Sequence, residues 1–291
     1  MDAATSPAVS LRRLVEMKTR REPIVMVTAY DYATARVAER AAVDMVLVGD
    51  SGAQVVLGHS STVQITVEEL LVLSAAVRRG TRHAFLVSDL PFGSTELSDE
   101  QAIATAVRFV KEAGVDAVKL EGGSPPRLAR IRAIVDAGIP VVGHVGLTPQ
   151  TAVALGGLRA QGRTAESAAR LVREALAVQD AGASVLVIEA VPAAVVGAVL
   201  PALRIPVIGI GAGAADGQVL VMHDLLGITE GTTAKFVKTY ASIGGDMAAG
   251  VAVYASEVRS GAFPGVDNHY AATAEAIAAA RAELANHRAD V

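Results

Sequence analysis

Residues 45–52 read MVLVGDSG. Four apolar residues, Met45 to Val48, run without a polar break into Gly49, and then come a carboxylate and a hydroxyl, Asp50 and Ser51. An unbroken apolar run suits a strand covered on both faces, as in a parallel sheet, rather than the alternation of a half-solvated strand. Similar runs recur at 24–28, 84–88, 117–120, 140–143, 184–188 and 206–210, and less clearly at 218–222. Between them lie alanine-rich stretches of helical period. In 99–113, for example, residues 103, 106, 107 and 110 share one apolar face, with Ser98 as N-cap, Gln101 completing a capping box, and Gly114 as C-cap.

Three phrases sound alike: EAGVDAVKLEGG, DAGIPVVGHVG and DAGASVLVIEAVP. Each is a helix end, a glycine, a strand and a polar ending. Seven or eight such βα units predict an α/β fold, a (βα)8 barrel with an N-terminal helix at 11–20. A doubly wound open sheet is built from the same units, and the pattern alone does not separate the two. No Pro/Ser-rich linker divides the chain. Residues 1–270 therefore read as one barrel domain and 271–291 as an alanine-rich helical tail.

The bulk composition narrows the function classes. Of 291 residues, 52% are hydrophobic and 19% charged, and the net charge is −4. No basic stripe supports nucleic-acid binding. The longest apolar stretch, 190–203, is too short for a membrane span and contains Pro192 and Pro201. The opening MDAATSPAVSLRRL lacks the apolar core of a secretory signal. The absence of cysteine excludes disulfides and zinc–thiolate sites and fits a cytoplasmic protein.

In a barrel the active site lies at the C-terminal strand ends. The residues there are Asp50 and Ser51, Asp89, Lys119 and Glu121, His144, Glu189, and the glycine loop 209–213. Asp50, Asp89 and Glu121 form an oxygen-only acidic group that suits Mg²⁺ or another hard divalent ion. A turn or cap is the plainer role for any one of them. Lys119 and Glu121 lie two apart on one strand and point the same way, either as a structural ion pair or toward a substrate anion. His144 could donate to an anion or shuttle a proton. Glu189 follows the apolar run VLVI, where partial burial would make it a usable general base. The glycine loop fails the dinucleotide pattern G-x-G-x-x-G because position 214 is alanine, which leaves phosphate binding or tight packing.

From Leu11 to Pro264 the phrases TAYDYATA, VLVGDS, VLGHSST, SDLPFGS, VKLEGG, GHVGLTPQ, LVIEAVP and PVIGIGAG occur in one order. By these the chain resembles the ketopantoate hydroxymethyltransferase family. The resemblance implies a barrel of the phosphoenolpyruvate/pyruvate type assembled as a homodecamer. It also implies transfer of a hydroxymethyl group from 5,10-methylenetetrahydrofolate to 3-methyl-2-oxobutanoate, giving 2-dehydropantoate on the way to pantothenate. Asp50, Asp89 and Glu121 fall on that family's Mg²⁺ site, and Glu189 falls on its proton acceptor. Asp50, Ser51, Asp89, Lys119 and His144 are the expected oxoacid contacts. The chain departs from the family's usual residues at 52–54, at Ser60, at 63–64 and at Leu158. A lyase or mutase on the same metal–oxoacid platform, and a non-catalytic oxoacid sensor, are the alternatives.

Overall fold

The computed structural model describes residues 8–289; the first seven residues of the N-terminal reading and the last two of the tail lie outside them. Eight parallel strands close into a barrel in sequence order. They are β1 Ile24–Thr28, β2 Met45–Val48, β3 Phe85–Asp89, β4 Ala117–Glu121, β5 Val141–Gly146, β6 Val185–Glu189, β7 Val207–Ile210 and β8 Gly217–Leu220. Strand β1 pairs with β2 (Val27 opposite Val46) and with β8 (Val27 opposite Leu220), so no edge is left and the open sheet is excluded.

The helices are α1 Leu11–Arg20, α2 Tyr32–Arg40, α3 Gly52–Val55, α4 Val67–Gly80, α5 Asp99–Arg108, α6 Pro125–Asp136, α7 Ala165–Asp180, α8 Ala193–Val199, α9 Met222–Leu225, α10 Ile243–Ser260 and α11 Ala274–Ala289. Local chemistry sets several boundaries. Thr66 and Glu69 form a capping box at the start of α4, and Glu68 and Glu69 complement the helix dipole there. Ser98 caps α5 through Gln101 N–H, but the Gln101 side chain accepts from Leu97 N–H rather than from Ser98. The stretch 99–113 is α-helical only to Arg108. It ends in a wider π-helical turn, Phe109–Ala113, which buries Phe109 completely before Gly114 takes φ 70°. Among the described residues no helix is long and apolar enough to cross a membrane.

Strand residues alternate between two cores. Val46, Val48, Leu86, Val118, Val141 and Leu186 pack outward under the helices. Met45, Leu47, Phe85, Val87, Ala117, Val142, Val185, Val187 and Ile208 fill the barrel, joined by Leu14 and Met17 of α1. Burying each such large side chain contributes about 1.5–3 kcal/mol. The polar residues of interest continue the inward face at the C-terminal ends: Asp89 after Val87, Lys119 and Glu121 after Ala117, His144 after Val142, Glu189 after Val187.

At the opposite end, acids preceding even strands satisfy the backbone of the odd strand before them. Asp44 accepts from Val25 N–H, Asp116 from Leu86 N–H and Asp216 from Val207 N–H, each at 2.8 Å. Asp216 also pairs with Lys18 of α1 at 2.6 Å.

The β7–β8 crossover has no helix. It spans only 211–216, where a parallel connection ordinarily needs a dozen residues or more. Gly211 (φ 59°) and Gly213 (φ 74°) make this sharp return, and a Cβ on Gly213 would lie 2.3 Å from that of Ala193. Tight packing therefore accounts for the glycine loop.

The chain divides into two compact units after Ala241. The first holds the barrel. The second holds α10 and α11, with Tyr254 and Phe263 in edge-on contact at 5.5 Å.

Candidate active site

At the C-terminal strand ends lies a cavity of about 500 Å³. Asp50, Ser51, Asp89, Lys119, Glu121, His144 and Glu189 all line it. The structure thus brings every sequence-predicted site residue to one place, although they span Asp50 to Glu189 along the chain. Asp50, Asp89, Lys119, Glu121 and His144 are each at most 5% exposed.

Three carboxylates this close need compensation. Lys119 Nζ lies 2.7 Å from Asp89 Oδ1. Burial works against the Lys119 charge, but Asp89, Glu121 and Asp50 together outweigh it and raise its pKa well above the ordinary lysine value. For Asp50, burial, then the charges of Asp89 and Glu121, raise the pKa well above the usual carboxylate range. Glu121 goes the other way. Burial opposes its ionisation, yet His144, Lys119 and the Gln150 N–H hold its carboxyl below the ordinary value.

His144 sits between two acids. Its Nδ1 is 3.4 Å from Glu121 Oε1, and its Nε2 is 3.2 Å from Glu189 Oε2, though off the line of a good hydrogen bond. Burial and the Lys119 charge disfavour the imidazolium, but the flanking carboxylates win and push His144 up to about 9. A cation is thereby held against Glu189, which is itself only 15% exposed.

Ser51 is oriented by Tyr30, whose hydroxyl lies 2.8 Å from Ser51 Oγ. Burial raises the Tyr30 pKa, so the phenol keeps its proton. Tyr30 was not among the predicted site residues, and neither was Gln150, which hydrogen-bonds Asp50 and Glu121. Both stand inside quoted phrases, TAYDYATA and GHVGLTPQ. The cavity wall further includes Arg159, Lys235 and Phe236, from segments without strand or helix. Of the departures from the family phrases, Gln54 and Leu158 are also in the wall.

Solved structures with this architecture include a phosphoenolpyruvate phosphomutase from Streptomyces platensis subsp. rosaceus. It matches with TM-score 0.60 over 96% of this chain and 98% of its own, at 17% identity. A 2,3-dimethylmalate lyase described as a PEP mutase/isocitrate lyase superfamily member matches with TM-score 0.57 over 98% and 99%, at 16% identity. These show the fold, a (βα)8 barrel. Sequence relatives are much nearer. A 3-methyl-2-oxobutanoate hydroxymethyltransferase of Rhodococcus jostii is 51% identical over 88% of this chain and 89% of its own. One of Saccharopolyspora erythraea is 52% identical over 90% and 89%, and a mitochondrial one of Arabidopsis thaliana 49% over 88% and 76%. The family model for ketopantoate hydroxymethyltransferase matches residues 8–266. The chain is therefore an enzyme that belongs to the ketopantoate hydroxymethyltransferase family.

Proposed function

We propose that this enzyme transfers a hydroxymethyl group from 5,10-methylenetetrahydrofolate to 3-methyl-2-oxobutanoate, with water completing the product 2-dehydropantoate and tetrahydrofolate leaving. The observation that carries the proposal is the convergence of Lys119, three carboxylates and the His144–Glu189 pair in one buried cavity. The names of the near relatives support the same reaction.

The donor set suits a hard divalent cation. Asp50, Asp89 and Glu121 offer only oxygens, they repel one another, and Asp89 Oδ1 is buried with Lys119 as an ion-pair neighbour but no well-directed hydrogen bond. Among the described residues no group of three or more His, Cys, Asp or Glu is arranged to hold a metal by itself. Mg²⁺ needs less: it is ordinarily held by one or two carboxylates, with water and substrate oxygens filling the rest. Asp50, Asp89 and Glu121 are the residues to hold it, and when bound it supplies Lewis acidity toward the oxoacid's keto and carboxylate oxygens.

The chain's own residues do the remainder. Lys119 and Ser51 hold the oxoacid, with His144 as a further donor near its carboxylate. Glu189 takes the proton from C3, and the resulting enolate carbon attacks the methylene carbon of the folate. The His144 ring, 3.2 Å from the Glu189 carboxylate, holds that carboxylate in place toward the cavity. Arg159 and Lys235 in the wall offer cations to the carboxylates of a folate tail.

The test is NMR of 3-methyl-2-oxobutanoate in D₂O, following hydrogen exchange at C3. Exchange is expected with Mg²⁺, and is expected to stop with EDTA or in Glu189→Gln. Added methylenetetrahydrofolate then gives product. Oxoacid binding without exchange, with or without the folate, would overturn the mechanism.

A further inference from the structure

The three carboxylates are fixed by a common device. Each has one oxygen taken by an N–H donor. Asp89 Oδ2 accepts from Asp50 N–H at 2.9 Å, Asp50 Oδ2 from Gln150 Nε2 at 2.9 Å, and Glu121 Oε2 from Gln150 N–H at 3.0 Å. Two of these three anchors come from one residue. Gln150 also donates from Nε2 to Leu90 O at 3.0 Å, directly after Asp89. From the loop after β5 it thus ties together the ends of β2, β3 and β4.

The chemistry asks for an amide. A glutamine side chain can donate twice without adding charge, whereas a glutamate would put a fourth carboxylate into the cluster. The loop is built to present it. Pro149 starts a 3₁₀ turn over Pro149–Thr151, Thr151 N–H donates back to Thr148 O at 3.0 Å, and the Thr148 and Thr151 hydroxyls meet at 2.5 Å. Gln150 is buried, with 8% of its surface exposed.

We propose that Gln150 is a positioning residue that sets the spacing and orientation of Asp50 and Glu121 for a divalent cation. The inference rests on the cation site described above. By occupying Asp50 Oδ2 and Glu121 Oε2 it decides which oxygen of each carboxylate remains for the ion. It also holds the carboxylates together against their mutual repulsion before the ion arrives.

The experiment measures Mn²⁺ alone, by the EPR signal of free Mn²⁺, titrated into the EDTA-stripped full chain. The proteins are wild type, Asp50→Asn, Gln150→Met and Gln150→Asn, each checked for folding by its melting temperature. Methionine keeps the volume and cannot donate; asparagine keeps the amide but is one methylene too short to span Asp50 and Leu90. Wild type is expected to bind and Asp50→Asn to lose binding. Both Gln150 variants are expected to bind about 10-fold more weakly, the lower end of what loss of an outer partner of a metal ligand costs, with an altered line shape of the bound ion. A merely structural role would lower the melting temperature without changing the affinity of the folded protein. Should Gln150→Met not fold, Gln150→Asn decides. Gln150 variants that match wild type while Asp50→Asn has lost the ion overturn the positioning role and leave the cation site standing. A wild type without Mn²⁺ affinity, or an Asp50→Asn variant equal to it, overturns the cation site and this role together.

Discussion

His144 Nε2 lies 3.2 Å from Glu189 Oε2, and its other nitrogen is 3.4 Å from Glu121 Oε1. Burial and Lys119 oppose the charge on this ring, but the two acids raise its pKa from 6.5 to about 9. A group whose folded pKa is raised contributes stability that is full below its unfolded pKa and is lost as pH rises through the folded one. In EDTA, the melting temperature is therefore expected to fall between about pH 6.5 and pH 9. His144→Gln removes the titrating group, and its melting curve is expected to be flatter over that window. Equal slopes for the two proteins would refute the assignment.

Lys119 is the counter-ion of a three-carboxylate cluster. Removing one member of a buried charged set strands the others, at a cost of about 3–5 kcal/mol. Lys119→Met is expected to unfold at correspondingly lower denaturant in EDTA, and to gain more from added Mg²⁺ than wild type does, since the ion then supplies the missing positive charge. A Mg²⁺ effect no larger than in wild type would show that Lys119 does not neutralise the cluster.

Tyr30→Phe deletes one hydroxyl, the partner of Ser51 Oγ at 2.8 Å. The loss of one such hydrogen bond is about 0.5–1.5 kcal/mol. If Ser51 holds the oxoacid, KM for 3-methyl-2-oxobutanoate is expected to rise by about 2- to 12-fold, with KM for the folate unchanged. Equal rises for both substrates would mean that the whole cavity has shifted.

Asp216 tests the other end of the barrel. Its carboxylate binds Lys18 and the Val207 N–H. Asp216→Ala is expected to cost about 2–4 kcal/mol of stability while leaving kcat near the wild-type value. A large fall in kcat for protein that is still folded would contradict this division of labour between the two ends.

The barrel was legible because its strands are buried on both faces. Runs such as Met45–Val48 and Val185–Ile188 have no polar interruption, so most strand starts and ends fall within a residue or two of the expected positions; β5, expected over 140–143, runs on to Gly146. The ionisable site residues were legible for a related reason: a charge at the end of an apolar strand stands out. Gln150 carries no charge, and its partners are 29, 60 and 100 residues away. Nothing local marks it. The β7–β8 crossover was also hidden, because the need for glycine at 211 and 213 is set by Phe236 and Ala193, which approach from elsewhere in the chain. The sequence predicts regular helix through Ala113, since helical period does not distinguish a final π turn at Phe109.

The helix-less crossover has a consequence for the order of assembly. With only 211–216 between them, β7 and β8 meet at small entropic cost, whereas β8 must find β1 at the far end of the barrel sequence. The hydrogen bond from Met222 N–H to Thr28 Oγ1 closes a separation of 194 residues. In refolding followed by pulsed hydrogen exchange, the amides along the β1–β8 seam are expected to gain protection last. Until that seam closes the sheet stays open, and the ends of β2 and β6 do not face each other. A chain folded everywhere but there holds all the residues of the site and no site.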